Sequence, residues 1–170
     1  MPVPPRESRL TVAMYERADL GAMYLPVGQM LQIDRVASVD AQRIVCEMDI
    51  GPDHWVFPLH FPQDPIYPGC LQIEAAGQVA AIWAWHNGLK GKPRLAKVSA
   101  EFDQPIRPQP GPLVFTGTIK RRRHICLATV ELSAAGQRVA VVELALAVVP
   151  NGDAPATAHA IGGGEPHEVS

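Results

Sequence analysis

Residues 60–86 read HFPQDPIYPGCLQIEAAGQVAAIWAWH, a proline-rich loop followed by a long apolar segment. A Pro-Gly step ends the loop, and Asn87-Gly88 is a common helix stop, so the sequence predicts a helix from Leu71 to about His86. Apolar side chains go all the way round this helix, which is typical of a helix enclosed by protein. We therefore expect other elements to wrap it.

The flanking segments predict strands that can do the wrapping. Residues 30–36 and 43–50 alternate or are rich in β-branched side chains, and the short connection containing Asp40 makes them an antiparallel hairpin. Further apolar runs follow the helix at 95–102, 113–120, 124–132 and 139–149. The turn at Gly136 and the alternation of the last runs indicate a β-meander. The expected class is α+β, an antiparallel sheet curled round a helix.

Composition limits the possibilities for the rest of the chain. A length of 170 residues with 47% hydrophobic residues suits one core. We expect one domain at 13–150, a flexible N-terminal segment at 1–12 and a disordered tail at 151–170. The net charge of −2 gives no general attraction to nucleic acid or to a membrane. Without a signal peptide, a membrane-spanning run or paired cysteines, we expect a cytoplasmic protein that needs no cofactor or metal.

The predicted helix carries two polar side chains on one face, Glu74 and Gln78, four residues apart. An isolated buried carboxylate is costly, so its placement here argues for function. The alternatives are an ion pair with Arg43 or Arg94, or a glutamate near the helix N-terminus that the helix dipole stabilises.

The loop before the helix carries His60 between apolar residues. An uncharged imidazole there can act as a base near neutral pH, although a packed core histidine is the common alternative. Pro62, Pro65 and Pro68 fix φ and stiffen the loop, which favours a functional histidine. His54 has no such setting and is expected to pack or to face solvent.

The start of the helix offers backbone N–H groups at Gly69 and Cys70 that can hold a developing oxyanion. The Cys70 thiol is a less favoured nucleophile, because it would need a histidine oriented beside it. Gly77 in mid-helix indicates close approach by another backbone or by substrate, or simple packing against a strand. The basic run 120–124 is either a solvated hairpin tip or a surface for an acidic protein.

The pattern of residues 60–78, HFPxxPxxPGxLxxEAxxQ, closely resembles the active-site signature of the 3-hydroxyacyl-[acyl-carrier-protein] dehydratases of fatty acid synthesis. Residues 30–36 look like the opening strand of that family, and residues 102–111 look like its strand and turn after the helix. The resemblance covers about residues 25–149. It implies a hotdog fold and a homodimer with active sites at the subunit interface.

The implied reaction is loss of water from a 3-hydroxyacyl thioester on an acyl carrier protein, giving a trans-2-enoyl thioester. His60 would take the C2 proton, and the partner subunit's Glu74 would protonate the departing hydroxyl. The Gly69 N–H would stabilise the enolate, and Gln78 would orient the acid or a water. Secondary expectations are an acyl tunnel lined by Phe61, Ile82 and Trp83, and docking of the carrier by Arg121, Arg122 and Arg123.

Two branches of the family are mixed in this sequence. Residues 52–57, PDHWVF, and Cys70 look like the branch that also isomerises the double bond, in which the helix acid is aspartate. Glu74 belongs to the branch that only dehydrates, so dehydration is predicted and isomerisation stays open. Two other interpretations remain: a hotdog thioesterase or hydratase acting on coenzyme A esters, and a non-catalytic subunit that binds an acyl chain or supports a partner dehydratase.

Overall fold

The computed structural model of the protein describes residues 13–151. Its strands and helix are, in chain order, β1 (Tyr15–Glu16), β2 (Arg35–Val39), β3 (Arg43–Asp49), α1 (Gly69–His86), β4 (Lys92–Phe102), β5 (Pro112–Arg122), β6 (Ile125–Ala134) and β7 (Gln137–Val149). Short 3-10 turns lie at Asp19–Ala22 and Gly28–Met30. All strand pairs are antiparallel, in the order β1-β2-β3-β5-β6-β7-β4.

Helix α1 lies directly on the sheet, and its apolar residues join the core. The helix approaches the sheet closely at Gly117 of β5, where an added Cβ would lie 2.9 Å from Cγ2 of Ile44 and 3.2 Å from Cγ1 of Val79. A side chain at this position would push the helix off the sheet, so the missing Cβ permits the contact. One long helix held in a curved antiparallel sheet confirms the predicted hotdog fold.

The helix and the meander lie close to their predicted bounds. The helix begins two residues earlier than predicted, after Pro68, and ends at His86 as predicted. Gly88 has a φ of 80°, which explains why glycine follows the helix. Strands β5, β6 and β7 form the predicted meander, with Gly136 at φ 77° in its last turn.

The first predicted strand is wrong over most of its length. Residues 30–36 were expected to pair throughout, but pairing in β2 begins only at Arg35. Side chains occupy the backbone groups before it: the Arg17 guanidinium donates to the carbonyl oxygens of Gly28 and Leu31, both at 2.9 Å. A backbone already bonded to side chains has fewer groups left for a ladder.

Strand β4 is an edge strand that pairs only with β7. It exposes three large apolar side chains, Leu95, Val98 and Phe102. An unpaired edge with exposed apolar side chains is a ready site for pairing with another chain.

The predictions for the two chain ends concern residues 1–12 and 151–170, which lie outside the described residues except for Asn151. Between residues 13 and 151, no helix has both the length and the apolar character to cross a membrane. All three cysteines are free; Cys46 and Cys126 are buried in strands, and Cys70 is exposed.

Candidate active site

Glu74 lies in the second turn of α1, and Gln78 holds it from one turn further on. The Gln78 Nε2 donates to Oε1 of Glu74 at 2.9 Å. The other carboxylate oxygen, Oε2, makes no hydrogen bond to any residue between 13 and 151. One oxygen of the acid is therefore fixed, and the other is available to a ligand.

Gln78 is buried and its amide is fully bonded, so its orientation is fixed. Its Oε1 accepts the backbone N–H of Gln32 at 2.8 Å, and its Nε2 also donates to the Met30 carbonyl at 2.7 Å. Both donor positions and the oxygen thus have partners of the correct type. The backbone of residues 30–32 positions Gln78, and Gln78 positions Glu74.

The network continues from Gln32 to Tyr67, two residues before the helix. The Gln32 Oε1 accepts the Tyr67 hydroxyl at 2.7 Å, and its Nε2 donates to the Gln29 carbonyl at 2.7 Å. Burial raises the pKa of the Tyr67 phenol, so the hydroxyl stays a donor. Gln32 and Tyr67 were not among the site residues predicted from the sequence. Gln32 could have been predicted, because a glutamine is unexpected in a segment that otherwise looks like a buried strand.

The expected ion-pair alternatives for Glu74 do not form within residues 13–151. None of the ion pairs there includes Glu74, and Arg94 donates to the carbonyl of its neighbour Pro93. Because a half-buried carboxylate without a cation is costly, the network around Gln78 is what compensates it.

His60 is held by the backbone of its own loop. Its N–H donates to the Val56 carbonyl at 2.9 Å, and its carbonyl accepts the Ile66 N–H at 2.9 Å. The ring Nδ1 lies 3.1 Å from the Ile66 carbonyl oxygen. A carbonyl oxygen can only accept, so Nδ1 carries the proton in this contact, and Nε2 of a neutral ring is left as a hydrogen-bond acceptor.

The surroundings of His60 are open. Its half-buried ring stacks on Phe61 at a centroid distance of 4.0 Å, and the peptide bond between the two residues is cis. Phe61 and Leu59 are themselves exposed. No hydrogen bond joins His60 to Glu74 within the described protomer, where each has its own partners.

The N-terminus of α1 presents two backbone donors. Leu71 and Gln72 both donate to the Pro68 carbonyl at 3.1 Å. The N–H groups of Gly69 and Cys70 find no acceptor among residues 13–151. Oriented N–H groups at a helix N-terminus can bind a negative oxygen.

Two neighbours define the space at this helix end. A Cβ at Gly69 would lie 3.0 Å from Cζ of Phe102, at the end of β4, so the ring covers the glycine backbone. The Cys70 side chain is exposed, and the histidine nearest in sequence, His60, is bonded to Ile66 instead. Within the described residues nothing orients a base toward the thiol.

A cleft of about 340 Å³ opens beside Glu74. Gly77 and Gln78 lie on its helix wall, and a Cβ added to Gly77 would meet nothing within 4 Å. Simple packing of Gly77 against a strand is therefore not what the described protomer shows. Ile82 and Trp83 are buried in the core away from this cleft, and Trp83 Nε1 donates to the Asp40 carbonyl at 3.0 Å.

The remaining candidates, His54 and the three arginines, do not line the cleft beside Glu74. His54 packs against the rings of Trp55, Phe57 and Tyr67, and desolvation is the main cause that lowers its pKa. Arg121, Arg122 and Arg123 are exposed at the β5–β6 turn.

Comparison with known proteins decides the family. The model of the FabA-like domain matches residues 25–143, which is more than half of the chain. The chain belongs to the FabA-like domain family. Helix α1, the His60 loop and all strands except β1 lie wholly or mostly within the FabA-like domain.

Solved structures share the fold at low sequence identity. The dehydratase heterocomplex ApeI:P of Xenorhabdus doucetiae is 19% identical with a TM-score of 0.63, over 76% of this chain and 91% of that chain. A thioesterase of Haemophilus influenzae is 14% identical with a TM-score of 0.54, over 68% and 78%. Zebrafish thioesterase superfamily member 2 is 15% identical with a TM-score of 0.55, over 68% and 80%. At these identities the likeness concerns the fold alone.

Proposed function

We propose that this FabA-like protein is a dehydratase that converts 3-hydroxyacyl thioesters on an acyl carrier protein to trans-2-enoyl thioesters, in fatty acid or polyketide-type synthesis. The main support is the state of Glu74 at a largely apolar cleft that Arg94 also lines. One oxygen of Glu74 is fixed by Gln78, and the other has no partner among residues 13–151. A carboxyl group held in this way is suited to deliver a proton to a leaving group.

In the proposed reaction, the Nε2 of His60 takes a proton from C2 of the substrate. The electrons of that C–H bond move toward the thioester carbonyl, whose oxygen gains negative charge. The N–H groups of Gly69 and Cys70, at the positive end of the helix dipole, are the donors proposed for this oxygen.

Loss of the hydroxyl group completes the proposed reaction. The C3–O bond breaks, the C2–C3 double bond forms, and Glu74 gives its proton to the departing oxygen, which leaves as water. His60 ends protonated and Glu74 ends ionised, so a proton must pass from one to the other, directly or through solvent, before the next turnover. Gln78 acts as a positioning residue for Glu74.

We further propose that the active enzyme is a homodimer in which His60 works with the partner subunit's Glu74. The support is threefold: the two residues are not bonded to each other in the described part of the protomer, the neighbours of His60 are exposed, and β4 offers an edge with exposed apolar side chains. Closed two-fold pairing would repeat the contact and create two equivalent sites.

The carrier protein is proposed to dock through Arg121, Arg122 and Arg123, which are exposed at the β5–β6 turn. Three adjacent cations there would attract an acidic partner. The proposed location remains the cytoplasm, for which the three free cysteines are the support.

The test is turnover of a 3-hydroxyacyl carrier protein, followed by the absorbance of the enoyl thioester and by mass. With the wild-type protein, each substrate molecule should lose one water. His60→Ala and Glu74→Gln should remove most of that activity. His86→Ala and Glu131→Gln, both at exposed positions, are the matched controls. Release of a free thiol instead of water would identify a thioesterase and overturn the proposal.

A further inference from the structure

The face of the sheet turned away from α1 carries a groove of its own. Residues of β6 alternate between buried positions that face the core and exposed positions that face outward. A groove of about 720 Å³ lies over the outward positions of β4, β7, β6 and β5. We call it the outer groove. Among the residues that line it are Lys97, Lys120, Leu127, Thr129, Glu143 and Ala145.

The strand register places two lysines on opposite sides of the outer groove. Lys97 on β4 pairs with Ala145 on β7. Lys120 on β5 pairs with Leu127 on β6, which in turn pairs with Ala145. The lysines are thus three strand spacings apart, about 14 Å at about 4.8 Å per spacing. Neither lysine forms an ion pair with any residue between 13 and 151, so both charges are available to a partner.

The floor between the lysines is apolar. Leu127 is 41% exposed although β6 is a central strand, paired on both sides. Ile125, two residues earlier on the same face, is 43% exposed and pairs with Ala147. Exposed apolar side chains that adjoin one another and have a charged rim indicate an interaction surface, whereas single ones do not.

The width of the outer groove fits an α-helix. A helix with its side chains is about 10–12 Å across, so it can lie on Leu127 with one lysine at each flank. The side chains of an added strand would point toward the floor and away from it, and would not present carboxylates sideways to Lys97 and Lys120. The groove therefore suits a helix with an apolar stripe at spacings of three and four residues and with Asp or Glu on both flanks.

Glu143 gives the partner helix a direction. It pairs with Thr129, at the end of the outer groove away from Ile125. A carboxylate repels an acidic flank, but it stabilises a helix N-terminus, where free N–H groups form the positive end of the dipole. The N-terminus of the partner helix is thus expected over Glu143, with its acidic flanks further along, between the two lysines.

We propose that the outer groove binds an amphipathic helix of a partner protein, apolar along one stripe and acidic on both flanks. Helix α1 and Glu74 lie on the other face of the sheet, so an occupant of the outer groove is separated from the cleft beside Glu74. The proposal is therefore independent of the proposed reaction and of carrier docking at Arg121, Arg122 and Arg123.

The test uses a fluorescent synthetic peptide of about 18 residues, which is five helical turns. It carries leucine at spacings of three and four residues, glutamate on both flanks, and alanine and glutamine elsewhere. Fluorescence anisotropy measures its affinity for the full-length protein. This peptide should bind at least tenfold more tightly than the same residues in shuffled order, or than a version with lysine in place of glutamate. Added salt should weaken the binding, because it screens exposed charges.

Substitutions locate the binding site. Lys120→Glu and Leu127→Thr should each weaken the peptide fivefold or more without changing turnover. Threonine keeps the preference for a strand. Glu143→Gln should weaken it about two- to fivefold, since it removes the charge opposite the helix N-terminus. Lys90→Glu, at an exposed position in the turn after α1, is the matched control and should leave the affinity unchanged.

Each outcome decides the proposal. Equal affinity for the acidic peptide and its shuffled version would overturn it, as would wild-type affinity in both Lys120→Glu and Leu127→Thr. If Leu127→Thr does not fold, Lys97→Glu takes its place. Stronger binding to Glu143→Gln would overturn the assigned direction of the helix.

Two further outcomes would assign the outer groove to another occupant and reject the helix of a partner protein. A smaller assembly mass in Leu127→Thr would identify a second copy of this chain. Displacement of the peptide by acyl carrier protein would identify the carrier. Binding with the expected pattern in a protein that dehydrates no substrate would sustain the outer groove and reject only the proposed reaction.

Discussion

The proposed acid and the proposed base are held in different ways. Glu74 is bonded to a network of buried side chains, Gln78, Gln32 and Tyr67, that is complete within one protomer. His60 is held through its own backbone and one ring contact to Ile66, while the apolar residues on either side of it are exposed. The proposed acid is thus supported by buried side chains, whereas the side chains next to the proposed base are not covered by other residues of the described protomer.

This difference separates two kinds of mutational effect. A buried polar network is costly to break, because each group left without a partner keeps its desolvation penalty. Changes behind Glu74 should therefore lower stability and activity together. Changes at His60, whose side chain supports little of the core, should lower activity alone.

The largest expected effect is that of His60→Ala on turnover. Loss of a general base typically costs a factor of about 100 to 10,000, and we expect a fall within that range with little change in the melting temperature. Enoyl formation and thermal unfolding should be measured on the same preparation. If His60→Ala lowers stability as well as activity, the proposed difference between the supports of His60 and Glu74 is wrong.

The second prediction uses mixed dimers of His60→Ala and Glu74→Gln. If each site combines His60 of one subunit with the partner subunit's Glu74, a mixed dimer has one site with both changes and one intact site. Random pairing makes about half of the dimers mixed, so about a quarter of wild-type turnover should return. Mixing after mild dissociation, with each variant alone as control, measures this. Absence of recovery in confirmed mixed dimers would place both residues of a site in one subunit.

The contrast also explains what could be predicted from the sequence. The loop, the helix and the candidate pair His60 and Glu74 are local in sequence. The helix could be predicted from this stretch alone, whereas the roles of His60 and Glu74 stay predictions. The support of Glu74 depends on Gln32 meeting Gln78 from 46 residues away, and no local pattern encodes that contact. The same contact helps to explain why residues 30–33 do not form a strand, since backbone groups of these residues bond to the side chains of Arg17 and Gln78 instead. The sequence could not show that Ile82 and Trp83 face the core and not the cleft, because the helix is apolar on all sides.

The third prediction concerns Gln78→Ala, which removes the link between the network and the acid. It leaves the Gln32 N–H without its partner and takes one of two donors from the Met30 carbonyl. At about 1–3 kcal/mol per unsatisfied buried group, we expect a loss of about 2–4 kcal/mol in the free energy of unfolding, together with reduced turnover. Denaturant unfolding measures the first. Gln104→Ala, at an exposed position, is the control and should change little.

A smaller effect is expected from Tyr67→Phe, at the far end of the network. It deletes the hydroxyl that donates to Gln32 Oε1 and leaves that buried oxygen without its donor. The expected loss is about 1–3 kcal/mol. Tyr15→Phe removes a hydroxyl from an exposed contact with His86 and should cost much less. Equal losses in the two variants would mean that the buried end of the network contributes no more than a surface hydrogen bond.

The smallest expected effect is a change in alkaline stability at the same residue. Burial raises the pKa of the Tyr67 phenol in the folded protein, whereas the same phenol in the unfolded chain ionises near pH 10. Below that pH both states keep the phenol proton and the full stability is present. Above it the unfolded state loses the proton first, so the free energy of unfolding falls as pH rises, with a slope set by one proton. Tyr67→Phe should remove that part of the slope and Tyr15→Phe should not. Because His60 has no comparable link to the core, His60→Ala should leave the alkaline slope unchanged.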